Sequence, residues 1–301
     1  MSDVFVVGSI NQDFVLSVER RPAPGETVTD ARLATHNGGK GANQAAAAAL
    51  LGAGVTFLGR VGDDGFGEPL VRALAEKGVD TSLVEEVADS STGTAFITVT
   101  PDGENAITVA PGANRRLTVE DVDAVSGSIG EAKVLVAQME IPPEVVRRAV
   151  EVAAVKETRA LVNLAPPFEV PQALLEKLDP LVLNEHEAAF LLGESVEGVD
   201  GALSAAPELS NLGPRSVVVT VGDDGAVFAN GPSAEHLTAP RVEVVDTTGA
   251  GDAFVGALAA RLADDVPLED AVAYAVRAGA AAVTKEEAQG ALPTHDVVEA
   301  L

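Results

Sequence analysis

The sequence predicts an α/β protein with a mostly parallel central sheet. Short apolar runs bounded by glycine, proline or polar residues alternate with segments of helical pattern along most of the 301 residues. This β-α-β order implies right-handed crossovers and helices on both faces of the sheet. The first run, Val4-Phe5-Val6-Val7, ends at Gly8 and is expected to be a central parallel strand. A chain of this length can bury a sizeable core as one large domain or two smaller ones.

Composition narrows the classes of partner. The net charge of −26 argues against nucleic acid or an anionic membrane as a partner. Arginine outnumbers lysine and the carboxylates are spread along the chain, which indicates a cytoplasmic protein adapted to high salt. There is no cysteine, so disulfides and thiolate chemistry are excluded. No apolar run has the length of a membrane span, and Met1-Ser2-Asp3 leads into a strand, not a signal peptide.

Two stretches of alternating polar and apolar residues predict hairpins with one exposed face. The first is interrupted by Pro22 and Pro24. The second is closed by a turn over residues 101–105, which are rich in turn-forming types. The expected strands of the two hairpins are Phe14 to Val18 with Glu26 to Ala34, and Thr94 to Thr100 with Ala106 to Val109.

The remaining elements follow from apolar runs and helix signals. A helix from Val119 is indicated by Thr118 and Asp121, which form a capping-box-like pair. The expected helices are Ala42 to Leu51, Gly67 to Glu76, Val119 to Ile129 and Pro171 to Leu178. The expected strands are Val55 to Leu58, Val134 to Ala137, Leu161 to Leu164, Leu181 to Leu183, Ser216 to Val221 and Ala226 to Ala229.

A glycine-rich stretch, Asp246-Thr247-Thr248-Gly249-Ala250-Gly251-Asp252, joins an apolar run to a helix. The run Val242 to Val245 is expected to be a buried strand, and the Ala-rich helix covers Ala253 to Leu262. Free N–H groups and the helix dipole at such a start attract a phosphate oxygen. A carboxylate beside phosphate is repelled, so Asp252 is a candidate to accept a proton from an attacking hydroxyl. The alternative is a helix cap in which the dipole favours Asp252.

A second glycine-rich helix start is Gly38-Gly39-Lys40-Gly41-Ala42-Asn43-Gln44-Ala45. Its spacing differs from a Walker A loop. The glycines let the backbone approach a ligand closely, and the Asn43 amide offers both a donor and an acceptor. Lys40 is either a solvated cap or, in so acidic a protein, a group that faces an anion or a ligand oxygen.

Further polar residues follow the predicted strands, where open α/β sheets place their ligands. Each also has a structural interpretation: a turn at Asn11 and Asp13, a surface acid at Glu140, an N-cap at Asn184 and a tight hairpin over residues 220–225. Asn184 and Glu187 are three residues apart at a helix start, where a carboxylate can bind Mg²⁺ through water.

Three motifs together carry a specific resemblance. The stretches 246–254 and 38–45, with Gly8-Ser9-Ile10-Asn11-Gln12-Asp13, resemble the ribokinase family of sugar kinases in order and spacing, from about Val4 to Pro293. The resemblance implies a three-layer α/β/α sandwich with a small β-sheet lid. It also implies one domain over residues 1–301, with lid segments at about 12–36 and 92–111, and transfer of the γ-phosphoryl group of ATP to the 5-hydroxyl of ribose.

The resemblance also implies roles for individual residues. Asp252 is the base, and the N–H groups of Gly249, Ala250 and Gly251 stabilise the transferred group. The residues expected at the sugar are Asn11, Gln12, Asp13, Gly39, Lys40, Gly41, Asn43, Glu140 and Asp252. Those expected at ATP are Asn184, Thr220, Gly222, Asp223, Gly225, Gly251 and Val276. The metal ligands are Glu187 for Mg²⁺, and Asp246, Thr248, Ala282, Lys285 and Glu287 for a monovalent cation such as K⁺.

Two departures from the family pattern affect these expectations. Val276 offers only an aliphatic contact where family members can place a ring against adenine. Glu287 stands in a loop, Thr284 to Gln289, where close relatives have glycine. The second departure bears on the monovalent-cation site and its selectivity, because the resemblance implies that this loop holds the ion through backbone carbonyl groups.

Three alternatives remain open at this point. The same fold could phosphorylate deoxyribose, another furanose or a nucleoside. A non-catalytic sugar or nucleotide sensor is also possible, although such a binder has no need of Asp252. The lid hairpins carry apolar residues at alternate positions, so a homodimer through the lid is expected, with a monomer whose lid folds onto its own domain as the alternative.

Overall fold

The first strand, β1 (Val4–Val7), has all four side chains buried. Val4 and Val6 belong to one hydrophobic core, whereas Phe5 and Val7 belong to a second core on the other face of the sheet. An apolar run without alternation is what a parallel strand covered on both faces requires. The computed structural model, which describes residues 3–102 and 105–301, therefore has three layers, and the prediction of an α/β/α sandwich is confirmed.

The central sheet has nine strands in the order β13-β12-β11-β10-β9-β8-β1-β4-β5. All neighbours from β11 to β5 are parallel, and β12 and β13 add an antiparallel pair at one edge. The strands after β1 are β4 (Val55–Gly62), β5 (Val79–Val87), β8 (Val134–Gln138), β9 (Arg159–Asn163), β10 (Leu181–Asn184), β11 (Val217–Thr220), β12 (Ala226–Ala229) and β13 (Ala234–Leu237).

Helices cover both faces of this sheet. They are α1 (Lys40–Leu50), α2 (Gly67–Glu76), α3 (Val119–Ala124), α4 (Ser126–Glu131), α5 (Pro143–Lys156), α6 (Gln172–Leu175), α7 (Glu185–Leu192), α8 (Gly198–Asn211), α9 (Ala250–Ala263), α10 (Leu268–Ala282) and α11 (His295–Glu299). The capping box predicted from Thr118 and Asp121 is present at α3. Helices α1, α2, α9 and α10 pack on the face of Val4 and Val6.

A separate four-stranded sheet, here called the lid sheet, has the order β3-β2-β6-β7. The outer pairs are antiparallel and the central pair, β2 with β6, is parallel. Its strands are β2 (Asn11–Ser17), β3 (Arg32–Gly38), β6 (Gly93–Val99) and β7 (Asn105–Ala110). Both expected hairpin segments thus contribute to one small sheet, as the family resemblance implied.

Helices α1 and α9 approach each other unusually closely. A Cβ atom placed on Gly256 would lie 2.5 Å from the Ala47 Cβ and 2.6 Å from the Gln44 carbonyl oxygen. Glycine at position 256 and alanine at position 47 therefore set the spacing of the two helices. Because Asp252 lies one turn before Gly256 and Gln44 one turn before Ala47, this contact brings the start of α9 against α1.

One strand prediction is wrong. The stretch Val242 to Val245 was expected to be a buried strand, but it is not a strand, and Val244 and Val245 are 55% and 53% exposed. The N–H groups of Val245 and Asp246 both donate to the Val283 carbonyl oxygen, at 2.8 and 3.3 Å. This segment is held by a loop after α10 and does not join the sheet, whose edge is formed by β13.

Other boundaries differ for identifiable reasons. The strand predicted from Glu26 starts at Arg32, the partner of Ser17, the last residue of β2. The helix predicted over residues 119–129 divides at Val125 into α3 and α4. Strand β5 was not predicted, since its acidic and hydroxylated residues lack a regular apolar alternation. The predicted turn over residues 101–105 includes residues 103 and 104, which lie outside the described part of the chain, as do Met1 and Ser2 of the predicted start.

Within the described residues, no helix is both long enough and apolar enough to cross a membrane.

Candidate functional site

The polar residues singled out in the sequence gather at the carboxyl ends of the central parallel strands. Strand β1 leads to Ser9 and Asn11, β8 to Glu140, and β10 to Asn184. Helices α1, α7 and α9 begin at the same edge. In an open parallel sheet, this edge is where ligands bind and where helix N-termini offer free N–H groups.

The start of α1 is fixed to the ends of β1 and β8. The Glu140 Oε2 atom accepts hydrogen bonds from the Ser9 hydroxyl at 2.5 Å and from the Lys40 backbone N–H at 3.0 Å. A Cβ atom on Gly41 would lie 2.5 Å from the Ser9 nitrogen, so only glycine permits this approach. Gly39 has a φ of 91°, which an L side chain rarely adopts. These contacts place Lys40 over the strand ends.

The Asp252 carboxylate is buried, with 7% of the residue exposed, and amide groups hold it. The Asn43 Nδ2 atom donates to Asp252 Oδ2 at 2.8 Å, and the Gln44 Nε2 atom donates to Asp252 Oδ1 at 3.0 Å. Gln44 also donates to Asn163 Oδ1 at 3.1 Å and accepts from Gln138 Nε2 at 2.7 Å. Sequence reasoning missed Gln44, Asn163 and Gln138 in this role, because their partners are distant in the chain.

The N-terminus of α9 is shaped by its glycines. Gly249 has a φ of 81°, and a Cβ atom there would lie 2.9 Å from the Ala288 Cα. Space is open where a Gly251 side chain would be. The Ala250 N–H donates to the Thr247 carbonyl oxygen at 3.3 Å. Gly251 lies in the first turn of α9, where a backbone N–H group has no acceptor within the helix and the helix dipole favours an anion.

The ammonium group of Lys40 interacts with the charges of four acidic side chains. Burial lowers the pKa of Lys40, but the charges of Asp252, Glu140, Glu187 and Asp13 outweigh it, and the pKa is raised from 10.5. The ammonium group therefore stays charged at any physiological pH. One cation facing four acids leaves this pocket with surplus negative charge when every acid is ionised.

Asp13, on strand β2 of the lid sheet, shows the effect of that surplus. Burial, together with the negative charges of Glu140 and Asp252, raises the pKa of Asp13 from 3.8 to about 7, although the positive charge of Lys40 opposes this shift. Its Oδ1 atom is buried and has no hydrogen-bond partner. A hydroxyl group of a bound ligand could supply the hydrogen bond that this buried carboxyl oxygen lacks.

The root of the lid sheet is held by Asn114, which was not predicted. Its Oδ1 atom accepts from the Ile10 N–H at 3.0 Å, and its Nδ2 atom donates to the Ile10 carbonyl oxygen at 3.1 Å and to Asn11 Oδ1 at 2.8 Å. Both Asn11 and Asn114 are buried. Gln12 lies next along β2 and donates to the His36 carbonyl oxygen at 2.9 Å.

Asn184 and Glu187 form a reciprocal capping box at the start of α7. The Glu187 N–H donates to Asn184 Oδ1, and the Asn184 N–H donates to Glu187 Oε2, both at 2.8 Å. The structural interpretation of this pair is therefore correct, and it leaves the second carboxylate oxygen for other use. Burial raises the pKa of Glu187, against the effect of the Asn184 N–H and of Lys40.

A cleft of about 130 Å³ lies between the starts of helices α1, α7 and α9. It is large enough to enclose a phosphate group and open enough for the rest of a nucleotide to lie outside. Its polar lining comes from Lys40, Asn163, Asn184, Glu187, Thr220, Gly249, Gly251 and Asp252. The structure thus brings together the predicted base, the predicted nucleotide residues Asn184 and Thr220, and the predicted Mg²⁺ residue.

The other predicted nucleotide residues lie farther along. Thr220 ends β11 beside Asn184 of β10. Gly222 and Asp223 form a short 3₁₀ turn with Asp224, and Gly225 has a φ of 102° where a side chain would strike the Leu237 carbonyl oxygen. Val276 is buried on α10, with 5% exposed.

The predicted cation residues surround Asp246. Its Oδ1 atom accepts from the Thr248 N–H at 2.9 Å and the Thr248 hydroxyl at 2.7 Å, and Oδ2 accepts from the Glu287 N–H at 3.2 Å. Burial raises the pKa of Asp246, but these hydrogen bonds outweigh it and the pKa falls below 3.8. Ala282 ends α10, and Lys285 is exposed in the loop that follows. Glu287 adopts a φ of 77° although it is not glycine, and its Oε1 atom lies 3.3 Å from His36 Nδ1 on the lid sheet.

A larger groove, about 550 Å³, lies at the opposite edge of the sheet. Three of its basic groups are paired with acids: Arg159 lies 3.2 Å and Arg215 lies 3.9 Å from the Asp179 carboxylate, and Lys133 lies 3.9 Å from the Asp265 carboxylate. This edge holds the amino ends of the parallel strands. We therefore assign the functional site to the smaller cleft, where the polar groups converge.

Among the described residues, no group of three or more His, Asp or Glu side chains could by itself hold a metal ion. Any metal at Glu187 would need oxygen ligands from a bound substrate or water.

The comparison that decides the family covers nearly the whole chain. The model of the pfkB family carbohydrate kinases matches residues 1–295. The chain belongs to the pfkB family of carbohydrate kinases. The sugar-kinase prediction is thereby confirmed.

Curated relatives include ribokinases and deoxyribokinases. Ribokinase of Staphylococcus aureus is 38% identical over 298 residues, 98% of each chain. Deoxyribokinase of Salmonella typhi is 36% identical over 293 residues, 97% of this chain and 96% of that protein. A bifunctional ribokinase/ribose-5-phosphate isomerase A of Fructilactobacillus sanfranciscensis is 38% identical over 301 residues, and this chain spans only 56% of its length.

Solved structures show the same fold. The ribokinase of Arabidopsis thaliana complexed with ribose and ATP superposes with a TM-score of 0.90 at 29% identity, covering 99% of this chain and 98% of that one. The two-sheet architecture of this pfkB family member is therefore shared with a sugar kinase whose structure contains both substrates.

The Asp13 pKa leads to a prediction about stability. A folded-state pKa of about 7 against 3.8 means that the folded protein binds this proton more tightly than the unfolded chain does. The associated stability is complete below pH 4 and is lost as the pH rises through 7. The side chain of Asp13→Asn does not ionise. The melting temperature of the variant minus that of the wild type should therefore increase from pH 5.5 to pH 8 by ~2 °C or more, the shift that about 1 kcal/mol produces.

The measurement is thermal unfolding of both proteins across that pH range. Glu235→Gln, at an exposed position on β13, is the matched control and should show a constant difference from the wild type. A constant difference for Asp13→Asn as well would contradict the raised pKa.

Proposed function

We propose that this protein is an ATP-dependent ribokinase that transfers the γ-phosphoryl group of ATP to the 5-hydroxyl of D-ribose. The observation that carries the proposal is the buried Asp252 carboxylate, held by two amides at the N-terminus of α9 beside Lys40. The full-length identity to ribokinases supports ribose as the sugar.

Asp252 is proposed to act as the general base. It takes the proton of the sugar hydroxyl while that oxygen forms a bond to the γ-phosphorus and the bond to the β,γ-bridging oxygen breaks, releasing ADP. The backbone N–H groups of Gly249, Ala250 and Gly251 are proposed to stabilise charge on the transferred group. The Ala250 N–H must first leave its 3.3 Å contact with Thr247, so Gly251 is the better placed donor.

The sugar is proposed to lie between the lid sheet and the start of α1. Asp13 and Glu140 would accept hydrogen bonds from its hydroxyl groups, and the Asn43 Oδ1 atom, buried and without a partner, would accept another. Asn11, Gln12, Gly39, Lys40 and Gly41 complete this set. Closure of the lid sheet would exclude water, which otherwise competes as the acceptor of the phosphoryl group.

ATP is proposed to lie along the ends of β10 and β11, with Asn184, Thr220, Gly222, Asp223, Gly225, Gly251 and Val276 as its contacts. Asn184 and Thr220 are adjacent in the sheet and line the cleft with Asp252. Mg²⁺ fits this arrangement because Glu187 has one carboxylate oxygen outside its capping box, facing a cleft with surplus negative charge. When bound, the ion would neutralise charge on the phosphates.

Deoxyribose is the rival sugar. A deoxyribokinase matches this chain with nearly the same identity and coverage as the ribokinases. The two sugars differ by one hydroxyl, and a site built to bond that hydroxyl rejects its absence strongly, because a buried polar group is left unpaired. A substrate panel of ribose, deoxyribose, fructose and adenosine in a coupled ADP-release assay would decide between them.

Replacing the base tests the reaction directly. Asp252→Asn should keep the fold and ribose binding but lower kcat by a factor on the order of 10² to 10⁴, because an amide cannot accept the proton. Coupled ADP release with ribose, alongside calorimetric ribose binding, measures both quantities. Turnover near the wild-type rate would remove Asp252 from this role, and ADP release from adenosine but not ribose would overturn the sugar assignment.

The Asp246 loop is proposed to bind a monovalent cation. Asp246 is ionised, and with Thr248, Ala282, Lys285 and Glu287 it lies where the loop folds back on the start of α9. The carboxylate oxygens of Asp246 and nearby backbone carbonyl oxygens are suitable ligands for K⁺. The loop touches Gly249 through Ala288, so an ion there would steady the N–H groups near the phosphate.

Salt should affect the protein in two separable ways. Molar KCl should raise thermal stability, because screening relieves repulsion among carboxylates in a chain of net charge −26. NaCl at equal ionic strength should raise the thermal stability as much as KCl does. It should raise turnover less than KCl does if the Asp246 site selects K⁺. Equal recovery of turnover in both salts would show that screening alone is sufficient.

The chain is proposed to work as one domain whose lid segments, about 12–36 and 92–111, form a homodimer contact. The lid sheet exposes apolar side chains on both faces. Leu33 pairs with Leu16 and is 61% exposed, and Ile107 pairs with Ile97 and is 58% exposed. These pairs lie on opposite faces, because Leu16 and Val15, the β2 partner of Ile97, are consecutive. One self-complementary contact would cover the apolar side chains of one of these faces.

Light scattering in high salt tests the dimer. We expect a dimeric wild type, and a monomer for at least one of Leu33→Asp and Ile107→Asp, whichever lies in the contact. Val155→Asp, at an 81% exposed position on α5, is the matched control and should remain dimeric. A monomeric wild type, or two lid variants that both stay dimeric, would contradict the lid contact.

The proposed reaction also places the protein in the cytoplasm, where ATP is available. Cell fractionation followed by the ADP-release assay would test this location, and activity confined to a membrane or extracellular fraction would exclude it.

A further inference from the structure

A chain of buried amides leads from strand β8 to the Asp252 carboxylate. Gln138, which is fully buried, donates through Nε2 to Gln44 Oε1 at 2.7 Å. Gln44, 1% exposed, donates through its own Nε2 to Asp252 Oδ1 at 3.0 Å and to Asn163 Oδ1 at 3.1 Å. The chain therefore crosses β8, α1, β9 and α9.

The direction of these hydrogen bonds is dictated from the Asp252 end. An ionised carboxylate only accepts, so Gln44 must present its NH₂ group. Asn163 donates through Nδ2 to the Val182 carbonyl oxygen at 3.3 Å, so its Oδ1 atom also faces Gln44 as an acceptor. The Gln44 carbonyl oxygen must then point to Gln138, which has to donate. A reversed Gln44 amide would place its oxygen against two other oxygens.

Position 138 carries a polar group where an apolar one would pack more simply. The preceding residues, Val134 to Ala137, are all apolar and buried. The Gln138 Oε1 atom is itself buried without a partner, and it has room only because position 8 is glycine, where a Cβ atom would lie 2.4 Å from it. A leucine or methionine would avoid this unsatisfied group, which costs stability. A local cost of this kind is typical of a residue kept for function.

We propose that Gln138 and Gln44 are positioning residues for phosphoryl transfer: Gln138 fixes the orientation of the Gln44 amide, and Gln44 fixes the rotation of the Asp252 carboxylate. Gln138 acts only through Gln44. This inference rests on the proposed role of Asp252 as the base.

Two single variants test the chain. Gln138→Met keeps the volume but cannot donate, and kcat should fall by about 10-fold to 100-fold, because a misdirected base loses its alignment with the hydroxyl. The KM values for ribose and ATP should change less than about 2-fold, since neither substrate is touched. Gln44→Met should show the same pattern.

Thr158→Val is the control for a merely structural loss. Thr158 is buried, and its hydroxyl donates to the Ile129 and Ala132 carbonyl oxygens, far from the cleft. This variant should have a lower melting temperature than the wild type but the same kcat. Gln138→Met with kcat within about 2-fold of the wild type, measured well below its melting temperature, would overturn the proposal. Should Gln138→Met not fold, the same outcome for Gln44→Met would overturn it.

The double variant Gln138→Met, Asp252→Asn separates this inference from the proposed function. If Gln138 acts through the base, its substitution should have little further effect when Asp252 is already asparagine. A full additional loss in that background would contradict the chain. Near-normal turnover of Asp252→Asn alone would instead refute the proposed base, whatever the result at position 138.

Discussion

The burial of one negative charge, the Asp252 carboxylate, constrains most of the architecture around the cleft. A buried carboxylate costs free energy unless hydrogen-bond donors and opposite charge replace water. The donors come from Asn43 and Gln44 on α1, so α1 must approach α9 closely. That approach requires glycine at position 256 opposite Ala47. The small residues of these two helices are therefore a consequence of holding a charge at their contact, and not only of packing.

The acidic side chains around Lys40 outnumber the positive charges near them, and this imbalance affects how a phosphate group could bind in the cleft. The acids Asp13, Glu140, Glu187 and Asp252 raise the pKa of Lys40 against the effect of burial, whereas burial, with the charges of Glu140 and Asp252, raises the pKa of Asp13. Phosphates entering such a pocket meet net repulsion, which the N-terminus of α9 offsets only in part. A divalent cation arriving with the nucleotide would offset much of the surplus negative charge. The same surplus of carboxylates characterises the whole chain, so high salt and bound cations act in the same direction.

The sequence predicted what local patterns encode. Strands buried on both faces, such as β1, are continuous apolar runs and were found with accurate bounds. The edge strand β5 was missed because its acidic residues face solvent, and the run Val242 to Val245 misled because apolar composition does not reveal whether a sheet edge is available. The glycine-rich motifs located Lys40 and Asp252 through the family resemblance. No pattern could connect Gln138 to Gln44, since a hydrogen bond between distant residues follows from topology and not from spacing.

The lid sheet is attached to the site at two places, and this limits how it can move. At its root, Asn114 binds the backbone of Ile10 and the side chain of Asn11, so strand β2 leaves β1 in a fixed direction. At β3, His36 lies against Glu287, whose N–H binds Asp246. Glu287 holds a φ of 77°, a conformation that costs a non-glycine residue free energy. Since glycine would adopt this conformation without strain, the side chain that reaches His36 is what distinguishes glutamate here. The lid sheet and the Asp246 loop are thus joined by a side chain that glycine would lack.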